Sequence, residues 1–191
     1  MKKLLSDFSL VKYRLNVRLV NENDADFIYA IRIDEKLSRY VNSVSGTAAD
    51  QKKWISEYKK REALGLDYYL IYYYEGKPIG VNRLYNITED SFTFGSWVFI
   101  DGIPFFCSMA SALIAREIAF DILGKEIERE NIGTHKDNKN VIYFSKLLGL
   151  QYTGTIMHEK GEYCVGYLTK DAFMKNKSNI LRFIPSEQER V

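Results

Sequence analysis

The sequence predicts a single α/β domain with a mixed, mostly antiparallel sheet of about seven strands flanked by helices. Three observations lead there. Residues 67–100 are rich in aromatic and apolar side chains and broken by the turn Glu75-Gly76-Lys77-Pro78, which reads as a strand meander. Residues 107–123 are apolar nearly all round, a pattern a helix carries only when it is covered on more than one side. The 191 residues contain no repeat, low-complexity block or Pro/Gly/Ser linker that would divide them.

The elements follow in order. Val17-Arg18-Leu19-Val20 alternates as a first strand, and Asn23-Asp24 caps a helix carrying Phe27, Ile28 and Ile31. Thr47 with Asp50 makes a capping-box variant for a second helix, whose apolar stripe includes Trp54 and Tyr58 and which should stop near Gly65. Residues 67–74, 79–85 and 92–100 are the meander strands, and the apolar helix comes next. Residues 127–134 can form a strand despite their charges. Residues 138–148 form a short helix with Val141, Phe144 and Leu148 inward, and residues 151–157 and 163–169 close the sheet. Beyond Asp171 no strong period appears, so the domain is expected at residues 1–170, with 171–191, including Glu187-Gln188-Glu189-Arg190, as a peripheral tail.

Composition excludes several classes. Hydrophobic residues at 46% and charged residues at 27% suit a folded soluble protein. The 27 basic against 25 acidic residues form no basic stripe, so nucleic acid is not indicated. No apolar run approaches the roughly 20 residues a membrane helix needs, and the N-terminus lacks a signal-peptide core. Two isolated cysteines, Cys107 and Cys164, fit neither a disulfide framework nor a CxxC metal site, which points to the reducing cytoplasm.

Several strings carry a resemblance. They are Val17-Arg18-Leu19-Val20 with Asp24-Ala25; Ile31-Arg32-Ile33-Asp34 with Arg39-Tyr40-Val41; Gly76-Lys77-Pro78-Ile79-Gly80 leading to Leu84-Tyr85-Asn86-Ile87; Phe94-Gly95-Ser96-Trp97-Val98-Phe99-Ile100; Ala119-Phe120-Asp121-Ile122-Leu123-Gly124; and the stretch from Asn138 to Leu150. In this order they resemble the GNAT superfamily of N-acetyltransferases over about residues 13–168. The branch resembled holds ribosomal-protein alanine N-acetyltransferases and amino-sugar N-acetyltransferases.

The resemblance implies the GNAT fold and an acetyl-CoA donor. A splay beside the fourth strand would leave backbone groups of Val98, Phe99 and Ile100 to pair with the pantetheine arm. The loop into the apolar helix, with Phe106, Cys107, Ser108, Met109 and Ala110, would meet the pyrophosphate, Ser108 capping the helix. Pro104 and Phe106 stand where the family usually has glycines. Asn138 would bond the pantetheine with Phe144 packed nearby. Ser145 occupies the place of a tyrosine that protonates the leaving thiolate, and Thr93 that of a frequent glutamate. For proton removal Glu89, Asp90, His135 and His158 are the candidates. Arg32, Asn82, Tyr85 and Asn86 would line the acceptor pocket.

Plainer readings stand beside these. Glu89 and Asp90 fit a solvated turn, Arg32 an ion pair with Asp34 or Glu35, and Cys107 a small packed residue at a helix start. The implied reaction is direct attack of a primary amine on the thioester, with the N–H of Val98 or Phe99 polarising its carbonyl. The favoured acceptor is a small-molecule amine, a nucleotide-linked amino sugar of surface-glycan biosynthesis. Alternatives are a protein N-terminal amine or a non-catalytic acyl-CoA-binding module. Relatives often form homodimers, which the sequence leaves open.

Overall fold

The computed structural model describes residues 2–42 and 44–186. Its one sheet has eight strands: β1 (Ser9–Lys12), β2 (Leu15–Leu19), β3 (Tyr68–Tyr74), β4 (Lys77–Tyr85), β5 (Ser91–Phe99), β6 (Ile127–His135), β7 (Gln151–His158) and β8 (Gly161–Thr169). The strand order is β1-β2-β3-β4-β5-β6-β8-β7. Every neighbouring pair is antiparallel except β5 and β6, which run parallel.

Helices α1 (Ala25–Ile33) and α2 (Ala48–Leu64) cover one face, where Ile28, Ile31, Ile55 and Tyr58 pack on Tyr69, Ile71, Val81 and Val98. The start of α2 is fixed by Thr47 and Asp50 capping each other's backbone. Its end is fixed by Gly65, whose φ of 78° lets its N–H reach the Arg61 and Glu62 carbonyls. On the other face lies α3 (Phe105–Glu117), buried from Ala110 to Glu117 and extended by one wider turn over Ile118–Ile122. The all-round apolar pattern is explained by this position: sheet residues such as Leu70 and Phe92 cover one side and the C-terminal residues Phe173 and Ile180 another. A short helix α4 (Lys139–Leu147) connects β6 to β7.

Two elements differ from the sequence reading. β1 adds an eighth strand, joined to β2 by Tyr13 and Arg14, which both take positive φ (53° and 63°). Such a turn usually announces itself by glycine or asparagine, and here it does not. The second difference is the segment expected to be peripheral. It forms α5 (Lys170–Asn176) and α6 (Ser178–Leu181), which bury Phe173 and Ile180 at 0% and 1% exposure. Phe173 lies 5.3 Å from the ring of Phe120, and Lys177 donates to Glu117 at 3.1 Å. Two apolar anchors on helices of 7 and 4 residues leave too short a pattern for periodicity to register. The terminal Glu187-Gln188-Glu189-Arg190 lies outside the described residues.

Removing the larger anchor tests this packing. Phe173→Ala should destabilise the protein by about 3–5 kcal/mol, read as a lowered urea midpoint at unchanged slope. A surface tail would show no such loss.

Candidate active site

The site exists because β5 and β6 part. Their ladder covers only Ser91 with Ile127 and Phe92 with Glu128. Beyond it each strand carries a bulge. On β5, Arg83 pairs with Gly95 but Val81 with Val98, so β5 has one extra residue, and Ser96 takes φ 50°. On β6, Glu130 pairs with Gly166 but Thr134 with Cys164, so two extra residues loop out. Gly133 permits this with φ 83°, and a Cβ there would stand 2.8 Å from the Cys164 carbonyl oxygen.

A cavity of about 360 Å³ fills the gap. Trp97, Asn138, Val141 and Ser145 form part of its wall on the α3–α4 side. Trp97 donates its indole N–H to Ser111 Oγ at 3.1 Å, and Phe144 packs behind it at 5.3 Å between rings. The opposite wall carries Arg32, Trp54, Tyr69, Arg83 and Tyr85. Arg83 is held by the buried Asp67 carboxylate through both Nε and Nη2, and its guanidinium lies 5.1 Å from the rings of Trp54 and Tyr85. Arg32 donates to the Asn42 carbonyl at 2.6 Å, while its Nε is buried without a partner among the described residues.

The apex holds buried charge. Arg116 grips Glu128 with two hydrogen bonds of 2.8 Å, both residues at or below 1% side-chain exposure, and its guanidinium sits 4.2 Å from the ring centre of Phe94. Glu130, two residues along β6, lines the cavity as an additional carboxyl. Burial pushes its pKa up to about 8, with the Glu128 charge adding to the rise and Arg116 opposing it. Tyr85 is pushed up to about 12, first by burial and then by the charge of Glu130.

Residues 14–151 match the family described as Acetyltransferase (GNAT) domain. The chain belongs to the GNAT acetyltransferases. It is therefore an N-acetyltransferase, built on a fold that binds acyl-CoA. A solved structure described as apo FdhC, a nucleotide-linked sugar GNAT, is 33% identical with a TM-score of 0.79, covering 94% of this chain and 99% of its own. RimJ of Mycobacterium smegmatis, solved with CoA-disulfide, is 13% identical with a TM-score of 0.75 over 88% of each chain. The ribosomal-protein-S5-alanine acetyltransferase from Vibrio fischeri is 16% identical with a TM-score of 0.72, covering 86% of this chain and 98% of its own. These last two share the fold. A search of curated protein sequences gives no significant match.

Within this GNAT frame the expected residues separate. Ser145, His135, Asn138, Arg32 and Tyr85 line the cavity. Arg32 binds a carbonyl rather than Asp34 or Glu35. His135 has both ring nitrogens engaged, Nδ1 accepting from the Asp137 N–H at 3.2 Å and Nε2 lying 3.0 Å from the Lys160 carbonyl. Glu89 is exposed outside the cavity, in a turn whose Thr88 and Glu89 carbonyls bind Lys125. His158 is also exposed, with Nε2 3.0 Å from the Ile132 carbonyl. Asn82 is fully buried and bonded to the Tyr72 hydroxyl and the Ser111 carbonyl, and Asn86 turns outward at φ 50°.

Of the three β5 positions, Ile100 gives its N–H to Ile79 at 2.9 Å, and Val98 pairs with Val81 in the same phase. Alternation leaves Phe99 with its N–H and C=O on the cleft edge. Phe106, Cys107 and Ala110 are buried and Met109 half-buried, so that stretch turns side chains inward. Ser108 does not cap α3: its hydroxyl donates backward to the Phe105 carbonyl at 3.2 Å. Pro104 supplies no cap either, and the first turn contains no acid.

Sequence reasoning missed Arg83, Trp54, Arg116 and Glu130, which line the cavity, and Tyr152 behind it, whose buried hydroxyl lies beside Thr134 and Ser145 and has no partner among the described residues. The usable signal was charge inside apolar patterns: Arg83 among strand aromatics, Arg116 in the apolar helix, Glu128 and Glu130 alternating in a strand.

Two outcomes test the apex. Arg116→Ala strands buried carboxyls and should cost about 3–5 kcal/mol in denaturant unfolding. Glu130 binds its proton more tightly folded than unfolded, so its contribution is fully present below about pH 4.5 and lost as pH rises through about 8. Glu130→Gln should therefore gain melting temperature relative to the parent progressively across that interval.

Proposed function

We propose that this GNAT enzyme transfers acetyl from acetyl-CoA to the primary amine of a nucleotide-linked amino sugar. One observation carries the acceptor class: the wall opposite α3 and α4 pairs arginines with aromatic rings, Arg32 and Arg83 beside Trp54, Tyr69 and Tyr85. Guanidinium groups suit phosphate oxygens, and flat rings suit a base or a sugar face. A peptide N-terminus or a polyamine brings positive charge and would meet a wall of its own sign. The 33% identical structure described as a nucleotide-linked sugar GNAT supports the same choice. Both cysteines are free, in keeping with the cytoplasmic placement that belongs to this proposal.

The residues present fit a coenzyme A thioester. The cleft edge of β5 at Phe99 offers a main-chain donor and acceptor to an amide-bearing arm. The α3 N-terminus lacks a side-chain cap and acids, which suits a diphosphate. Asn138, at the start of α4 with a side chain that makes no cap bond, offers a further amide on the same side. Acyl-CoA supplies an activated carbonyl when bound. Ser145, buried at 3% exposure, offers a hydroxyl to the departing sulfur from the cavity wall.

An acceptor panel of UDP-glucosamine, an alanine-starting peptide and spermine, scored by free-thiol release, tests the reading. Turnover should favour UDP-glucosamine, and Arg32→Ala should raise its KM about tenfold or more by removing a charge-assisted contact. Preference for the peptide would overturn the acceptor assignment.

A further inference from the structure

We infer that Glu130 is the general base of this acetyltransferase, accepting the ammonium proton of the acceptor at the apex of the β5–β6 cleft. Its place comes from register. The parallel ladder ends with Phe92 opposite Glu128, so Glu130 is the first inward residue of β6 beyond the last paired rung, level with Phe94. Its carboxyl lines the cavity between the two walls, and the bulge that follows it at residues 131–133 keeps β6 from closing back on β5.

The groups around it set its chemistry. Glu128 and Thr134 face it from β6, Arg116 from α3, Tyr85 from β4 and Tyr152 from β7. β8 places Gly166 opposite it, α4 contributes the uncharged Ser145, and β5 contributes Phe94 and Gly95. Among the described residues the cation facing it is Arg116, already taken by both oxygens of Glu128. Among those residues Glu130 is left without a countercharge of its own, so near neutrality it exchanges a proton rather than holding a fixed charge. The other candidates are committed elsewhere: His135 through both nitrogens, Glu89 outside the cavity.

The step balances. An acceptor N–H bond breaks and an O–H bond forms on Glu130; the freed nitrogen pair attacks the thioester carbon, forming C–N as C–S breaks. The second nitrogen proton neutralises the thiolate, and Glu130 later returns its proton to solvent.

The experiment has two arms. In the free protein, carbon-13 carboxyl resonances of labelled glutamate, assigned by their loss in Glu130→Gln, should show one group titrating near neutrality. Titration in the ordinary carboxylate range overturns the inference. In the kinetic arm, run on the best acceptor of the panel, Glu130→Gln should lower kcat/KM about 10²-fold or more at neutral pH and lose the rising limb of the pH profile. Glu130→Asp should keep that limb at reduced rate, and acetyl-CoA affinity by calorimetry should stay unchanged in both. A Gln variant that keeps the parent's rate, or loses rate while keeping the limb, overturns the assignment. If no amine of the panel is acetylated, the acceptor reading fails on its own, and the carboxyl titration decides Glu130.

Discussion

The two-bond grip of Arg116 on Glu128 sits where the sheet divides, and the site is arranged around it. It ties the last turn of α3 to β6 at the last rung shared with β5. A buried pair of this kind adds little net stability, since desolvating both charges offsets most of their attraction. Its consequence is geometric. Two planar groups joined bidentately fix both rotation and distance, so β6 is held to α3 while its continuation swings away from β5. With the guanidinium packed on the ring of Phe94, the same contact anchors the β5 side of the apex.

The bulges complete what the pair begins. A regular β5 and β6 would continue their parallel ladder and leave no cavity. One extra residue at Ser96 and two extra residues near Gly133 turn the strand edges apart. Backbone polar groups in a folded interior need partners, so a strand edge unpaired at Phe99 costs free energy unless water or a ligand meets it. The same divergence that creates the cavity therefore leaves an edge with which the extended, amide-bearing arm of the proposed donor would pair.

How much of this was legible in the sequence varied with the kind of signal. Helix α2 was readable because Thr47 and Asp50 cap its start and Gly65 its end, and α1, α4 and the meander because apolar spacing and turn residues mark them; the cap expected from Asn23-Asp24 is not made, since the Asp24 carboxylate is spent on Arg18 and the Asn21 N–H. β1 was not, because Tyr13 and Arg14 adopt a turn those residues rarely adopt. Nor was the docking of α5, which depends on one phenylalanine meeting Phe120 across a long sequence separation. Arg32, Tyr85, Asn138 and Ser145, which line the cavity, were singled out because they sit at positions a family pattern marks. Glu130 and Arg116 were passed over because a charge in an apolar pattern reads as an imperfection until the fold shows what surrounds it. Asn82 failed in the opposite direction: a polar residue in a strand suggested a ligand contact, but its amide is spent on Tyr72 and Ser111.

The departures from the family pattern fall where they cost least. For amine attack on a thioester, holding the two reactants in register is worth up to ~7–11 kcal/mol. A proton-transfer group contributes about 10²–10⁴-fold, or roughly 3–5 kcal/mol. In the proposed function, positioning would rest on main-chain groups: the Phe99 edge and the uncapped start of α3. Neither depends on the side chains at 104 and 106, because Phe106 points into the core and Pro104 precedes the first turn, whose N–H groups begin at Phe105. Replacing a phenol by Ser145 and a strand carboxylate by Thr93 removes only the smaller contribution, and Glu130, reaching the cavity from the facing strand, restores the base part of it from the other side of the cleft.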